Sequence, residues 1–154
     1  MLTASVFALI VTLQAQGGAP AQTPAPAAAT TSPLASARTL KCTFPAYNST
    51  NWRDGKASTA ANSEEFGFQI DAIDSRQRRA RIVGTRGSAE ASAFLTETGL
   101  NVIEQTSIGN FILTTIFTTG GAGDRFAAVH SRHLGDREGL PSASQHTGTC
   151  ELVR

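Results

Sequence analysis

The chain has 154 residues, with 13 basic and 12 acidic side chains and a formal net charge of +1. That length suits one domain and leaves little room for a second. So even a charge balance excludes the strong uniform field that draws a protein onto nucleic acid or a membrane surface.

Every charged side chain lies at Arg38 or later, so the first 37 residues form a compositional block of their own. Within it, Leu2 to Leu13 is an apolar run of secretory-signal length, short of the ~18–20 residues that span a bilayer. Small residues follow, and Ala19-Pro20-Ala21 has the small-x-small form that signal peptidase cuts. Residues 1–21 therefore read as a cleavable signal peptide of bacterial type, leaving no transmembrane span in the mature protein. The run lacks the Lys or Arg that normally precedes it, and a short buried helix of the domain is the competing reading. No Cys stands near the cleavage region, so a lipid anchor is not indicated.

Residues 22–37 are Ala, Pro, Thr, Gln and Ser with almost nothing large. Such a stretch cannot bury enough apolar surface to offset its ordering entropy, and it reads as a disordered spacer. The folded part is then 38–154.

Cys42 and Cys150 are the only cysteines, one near each end of that folded part. In an oxidising compartment such a pair is expected to bond, joining the first strand to the last. A metal pair would need His partners close by, and a catalytic thiol would leave the second Cys without a role.

Between the cysteines, short β-type runs alternate with turn residues. Thr39 to Ala46 alternates around Cys42 and Phe44, and polar Tyr47 to Glu65 reads as a long loop. Phe66, Phe68, Ile70 and Ala72 alternate with Gly67, Gln69 and Asp71, the period of a half-buried strand. Ala80 and Ile82 follow between arginines, and Gly84 to Gly87 is a hairpin turn. Further runs are Ser88 to Leu95, Leu100 to Thr106, Phe111 to Thr118, Phe126 to His133 and Gln145 to Leu152. Asp124 to Leu134 also fits helical spacing, but its neighbours form a meander and favour a strand.

The fold class is therefore all-β: an antiparallel meander of about eight strands. Bonding the first strand to the last favours a small closed barrel over a β-sandwich, because closure removes exposed edges. Its interior is expected to hold either a cavity or the side chains of Phe66, Phe68, Ile70, Ile103, Phe111, Phe117 and Phe126.

All three histidines lie in the last quarter, as His130, His133 and His146. On a strand His130 and His133 point to opposite faces and cannot share a metal, whereas on a helix they could, with Asp136, Glu138 or His146. On a strand His130 and Arg132 share a face, and both are expected to pack or bond against acids such as Glu104. Ser131, Ser142 and Ser144 invite a hydrolase reading with His133 or His146 and an acid such as Asp136, but no Gly-x-Ser-x-Gly elbow is present. Glu64-Glu65 look like solvated surface rather than a glycosidase pair. Asn48-Ser49-Thr50 fits an N-glycosylation acceptor.

Arg76, Arg78, Arg79, Arg81 and Arg86 form a basic cluster without an acid among them. They could contact an anionic surface, or simply be an outward strand face countered by Asp71, Asp74 and Glu90. No aromatic spacing supports single-stranded nucleic-acid binding.

These features favour a periplasmic or secreted β-domain that is a non-enzymatic binding or interaction module, its partner a small apolar ligand or an envelope protein. No catalytic set, metal site or cofactor is expected. The candidate binding residues are His130, Arg132, His133, Arg79 and Arg81. A hydrolase or metal-assisted enzyme using the His130/His133/His146 region is the first alternative, and anionic-surface binding through Arg76 to Arg86 is the second.

Overall fold

The first strand, β1 (Leu40–Arg53), organises the whole architecture, because its two halves have different neighbours on one side. The computed structural model describes residues 32–135 and 139–154. The expected signal peptide, most of the expected spacer, and Asp136 and Glu138 lie outside the described residues.

Eight further strands follow in order: β2 (Lys56–Asn62), β3 (Phe66–Asp74), β4 (Arg79–Gly84), β5 (Gly87–Leu95), β6 (Gly99–Gln105), β7 (Phe111–Phe117), β8 (Arg125–Gly135) and β9 (Pro141–Leu152). Consecutive strands from β3 to β9 pair antiparallel, and β9 returns to pair with β1. β1 pairs with β3 in turn, so eight strands close into a barrel and β2 is an addition to it. Cys42 and Cys150 stand directly opposite each other on β1 and β9, and their disulfide crosses the seam with a Cα–Cα distance of 4.0 Å. The barrel, its closure and this bridge agree with the reading of the sequence.

A bulge explains why β1 divides. Phe44 and Pro45 stand opposite the single residue Gly148 of β9, between the pairs Thr43–Thr149 and Ala46–Thr147. A proline has no N–H for a ladder, so it suits a bulge better than a regular strand. Gly148 has no substitute here: a Cβ would stand 2.1 Å from the carbonyl oxygen of Thr43 and 2.8 Å from the Cα of Phe44. Before the bulge, Leu40–Phe44 pairs with β3; after it, Tyr47–Arg53 pairs with β2. The bulge also resets the alternation, so that Phe44 and Tyr47 both face inward.

The segment Tyr47 to Glu65, expected to be a loop, is therefore mostly a hairpin. Its turn is Asp54-Gly55, with φ values of 50° and 71°. Positive φ at both central residues is the type I′ turn that matches strand twist, and Asp-Gly is a preferred pair for it.

One end of the barrel is solid. Leu40, Cys42, Ile70, Ala80, Ala93, Leu100, Val102, Ile116, Ala128 and Cys150 are buried there in one cluster. A 3-10 turn, Pro33–Ser36, covers that end and inserts Leu34, which is 1% exposed. Ser32 caps the turn by accepting the N–H of Leu34, and Arg38 donates to the carbonyl of Ile73. The last residues of the expected spacer thus belong to the barrel.

The expected interior is right for Phe66, Phe68, Ile70 and Phe126, and wrong for Ile103, Phe111 and Phe117. In β6 and β7 the opposite parity faces inward: Leu100, Val102, Ile112, Thr114 and Ile116 are buried, whereas Phe111 is exposed. Both faces of β7 are apolar in sequence, so alternation alone could not choose between them there. In β6, by contrast, Leu100 and Val102 alternate with Asn101 and Gln105 and mark the buried face.

Candidate ligand-binding site

The other end of the barrel is built differently. Here the inner face of β5 carries Ala89 and Ala91, which stand opposite Ile82 and Ala80 of β4. Small side chains on one wall leave room in front of the aromatic rings on the opposite wall. The result is a cavity of about 620 Å³ at the open end, bordered by Phe66, Phe68, Ile82, Ala89, Ile112 and His130. Glu65, Arg86, Glu104 and Arg132 also line it, so an apolar interior meets a rim of mixed charge. A wider, more polar groove of about 1270 Å³ lies further along the β1–β2 arm, between Ser58, Leu134 and Ser142.

The inner wall is organised around two imidazoles. His130 of β8 and His146 of β9 are direct partners in the ladder, and their ring centroids lie 5.4 Å apart. They are 4% and 3% exposed. Phe44, Phe66 and Phe68 surround His130 at centroid distances of 5.5, 5.3 and 5.1 Å. Tyr47 stacks on His146 at 4.5 Å. Each ring has one hydroxyl partner: Thr114 Oγ1 lies 2.9 Å from His130 Nδ1, and Ser144 Oγ lies 3.1 Å from His146 Nε2. The remaining nitrogens, His130 Nε2 and His146 Nδ1, are buried with no partner among the described residues.

Burial sets the charge of both rings. Desolvation, helped by the neighbouring His146 and by the guanidinium of Arg132, pushes the pKa of His130 down to about 3. Desolvation, and then Arg132, also pushes His146 below its ordinary value. At neutral pH both imidazoles are therefore uncharged. A neutral imidazole has one N–H and one lone pair, and a hydroxyl can either donate or accept. By rotating its O–H, Thr114 can either donate to or accept from His130 Nδ1, and so fixes whether Nε2 carries the proton.

The sequence-predicted residues separate into three groups. His130 and Arg132 share the inner face, as expected for a strand. His130 bonds Thr114 and not Glu104, while Arg132 lies 5.9 Å from the Phe66 ring and has no carboxylate partner among the described residues. Glu104 lines the same cavity as both. His133 is exposed on the outer face of β8, across from Phe111 and Ala143, and joins neither other histidine. Arg81 makes two hydrogen bonds to Asp71, at 2.8 and 2.9 Å, and stands opposite Glu90. Arg79 pairs in register with Asp74, Arg78 lies over the Phe94 ring, and Arg86 edges the cavity. The basic cluster is thus divided between ion pairing, ring packing and the cavity rim.

Three contributors were not singled out beforehand: Tyr47, Thr114 and the alanine face of β5. Tyr47 is the only tyrosine of the chain, but its place beside His146 depends on the β1 bulge. Among the described residues, no three His, Cys, Asp or Glu side chains converge as a metal ion would require. No protein-family model matches the chain, and no curated protein is similar to it in sequence.

Proposed function

We propose that this chain is a non-enzymatic binding module of the periplasm or the extracellular space, taking a small, mainly apolar ligand into the open end of its barrel. The observation that carries this reading is the cavity itself: aromatic and aliphatic walls with the ring of His130 among them, whose Nε2 is buried and has no partner among the described residues. Binding sites for small molecules have this composition, an apolar enclosure with a few polar groups that fix orientation. A carrier also uses a scaffold that holds its shape without ligand, which the closed ladder and its disulfide supply. The disulfide supports an oxidising compartment. Among the described residues no helix is long and apolar enough to cross a membrane.

The test is titration with an anilinonaphthalene sulfonate dye, an aromatic probe with an anionic head, on the folded protein at neutral pH. One saturable site is expected, lost when the cavity is filled by Ala89→Leu. Absence of saturable uptake would overturn the carrier reading. So would uptake that survives this substitution.

One observation favours a second reading. Ser144 and His146 form a hydroxyl–imidazole pair like that of a serine nucleophile and its base. In a working triad the far nitrogen of the base is held by a third group. His146 Nδ1 has none among the described residues, and burial weakens the ring as a base. Covalent labelling of Ser144 by a fluorophosphonate, located by peptide mapping, would replace the carrier reading with a hydrolase. Adhesion through the arginines has less support, because Arg81 is engaged by Asp71. Salt-sensitive retention on heparin that disappears in the Arg79→Ala, Arg81→Ala double variant would restore that reading.

A further inference from the structure

Among the described residues, closure of the barrel gives every other strand hydrogen-bonded neighbours on both sides, and leaves β2 with one neighbour only, β1. The Asp54-Gly55 turn closes on the pair Arg53–Lys56. Alternation from that pair turns the peptide groups of Lys56, Ser58, Ala60 and Asn62 toward β1. Those of Ala57, Thr59 and Ala61 then face away from it. The Thr50 and Thr59 hydroxyls, 2.8 Å apart across the hairpin, agree with this phase, since side chains approach most closely at non-hydrogen-bonded pairs. Between Ala57 and Ala61 this outer edge carries no charge, proline or bulge, and all of Lys56 to Ala61 is exposed. Those are the devices by which strands at a sheet edge ordinarily avoid pairing.

We propose that the β2 edge pairs antiparallel with the same edge of a second copy of the chain. Charge selects the occupant and its register. With Ala60 opposite Ala60 of the second copy, the outward peptide groups of Thr59 meet those of Ala61, and those of Ala57 meet those of Ser63. The same register sets Lys56 opposite Glu64 at both ends, and neither residue has an ion partner among the described residues. Centring the pair on Thr59 instead would oppose Asp54 with Glu64, a like-charge contact. Opposite charges facing across a ladder favour pairing, and like charges disfavour it. The product is a continuous four-stranded arm with two-fold symmetry, as a self-complementary contact requires. One strand edge buries less than the ~1,200 Å² of a standard interface, so the dimer forms in the micromolar range or above.

Sedimentation equilibrium of the oxidised protein over a wide concentration range tests this. A monomer–dimer equilibrium is expected, with Lys56→Glu and Glu64→Lys each weakening it by about tenfold and the double exchange restoring it. Ala61→Pro, which removes only an outward N–H, should abolish it. If that variant loses its fold, as judged by the near-ultraviolet circular dichroism of the Trp52 hairpin, the charge-exchange set decides alone. A monomer at every concentration would overturn the proposal, as would a dimer indifferent to the charge exchanges. Protection of β2 amides by an added extended peptide, with the chain otherwise monomeric, would assign the edge to a different strand and equally overturn self-pairing.

Discussion

The two ends of this barrel use the same ladder for opposite purposes. At the disulfide end, inward positions hold Leu40, Ile70, Leu100 and Ile116, and Leu34 closes the opening. At the other end, the corresponding positions of β8 and β9 hold His130, Arg132, Ser144 and His146, faced by alanines on β5. The first end maximises apolar burial. The second leaves two buried ring nitrogens without partners among the described residues, an arrangement that costs a folded protein stability. Polar rings kept at such a cost, one of them in the cavity wall, fit a binding role better than a purely structural one.

This contrast predicts where substitutions will act. The largest loss follows removal of the bridge. Replacing Cys42 and Cys150 together by Ala should cost at most about 4–5 kcal/mol in the chain-entropy model, for a sequence separation of 108 residues. Denaturant unfolding of the oxidised protein and the variant measures it. Next comes the lid of the solid end: Leu34→Ala should cost about 2–4 kcal/mol through lost burial and the void it leaves. Dye uptake at the other end should be unchanged. Coupled loss of both would show that the two ends are not independent.

Much of the solid end was legible in the sequence, and much of the open end was not. Alternation in Phe66–Ile70 and the spacing of the turns identified strands, although a bulge at Ala72 (φ 49°) turns Ile73 inward in its place. Two cysteines near the ends of the folded part identified the seam. The Asp54-Gly55 turn carried its own signal, but the flanking residues are polar on both faces, because the arm they build is wet. The hydrophobic alternation that marks other strands was therefore missing. The meeting of His130 with His146 depends on the β8–β9 register, a long-range property that no local pattern encodes. Leu34 stands alone among Ala, Pro and Ser, so one anchoring side chain was hidden by the composition around it.

Acid should separate the two ends next. His130 binds its proton only near pH 3 when folded and near 6.5 when unfolded. Its contribution to stability is therefore fully present above about pH 6.5 and is lost as the pH falls toward 3. The limiting slope is about 1.4 kcal/mol per pH unit, with His146 adding in the same direction. His130→Gln keeps a hydrogen-bonding partner for Thr114 and does not titrate, so its stability curve should be flatter over that interval. An unchanged acid limb would mean that the ring is not desolvated in solution.

The smallest expected effect on stability is also the most informative about the cavity. Ala89→Leu adds volume where the wall faces open space rather than packed side chains. The strain that overpacking imposes on a solid core should therefore be absent, and stability should stay within about 0.5 kcal/mol of the parent protein. Dye uptake should nevertheless be lost, because the new side chain occupies the space between Ile82 and the aromatic wall. Applied to Ala93, which is fully buried at the solid end, the same change to Leu should reverse the pattern. Overpacking should destabilise by about 1–3 kcal/mol and leave uptake intact. If Ala89→Leu proves as damaging as Ala93→Leu, the open end is packed in solution, and the division of labour between the two ends fails.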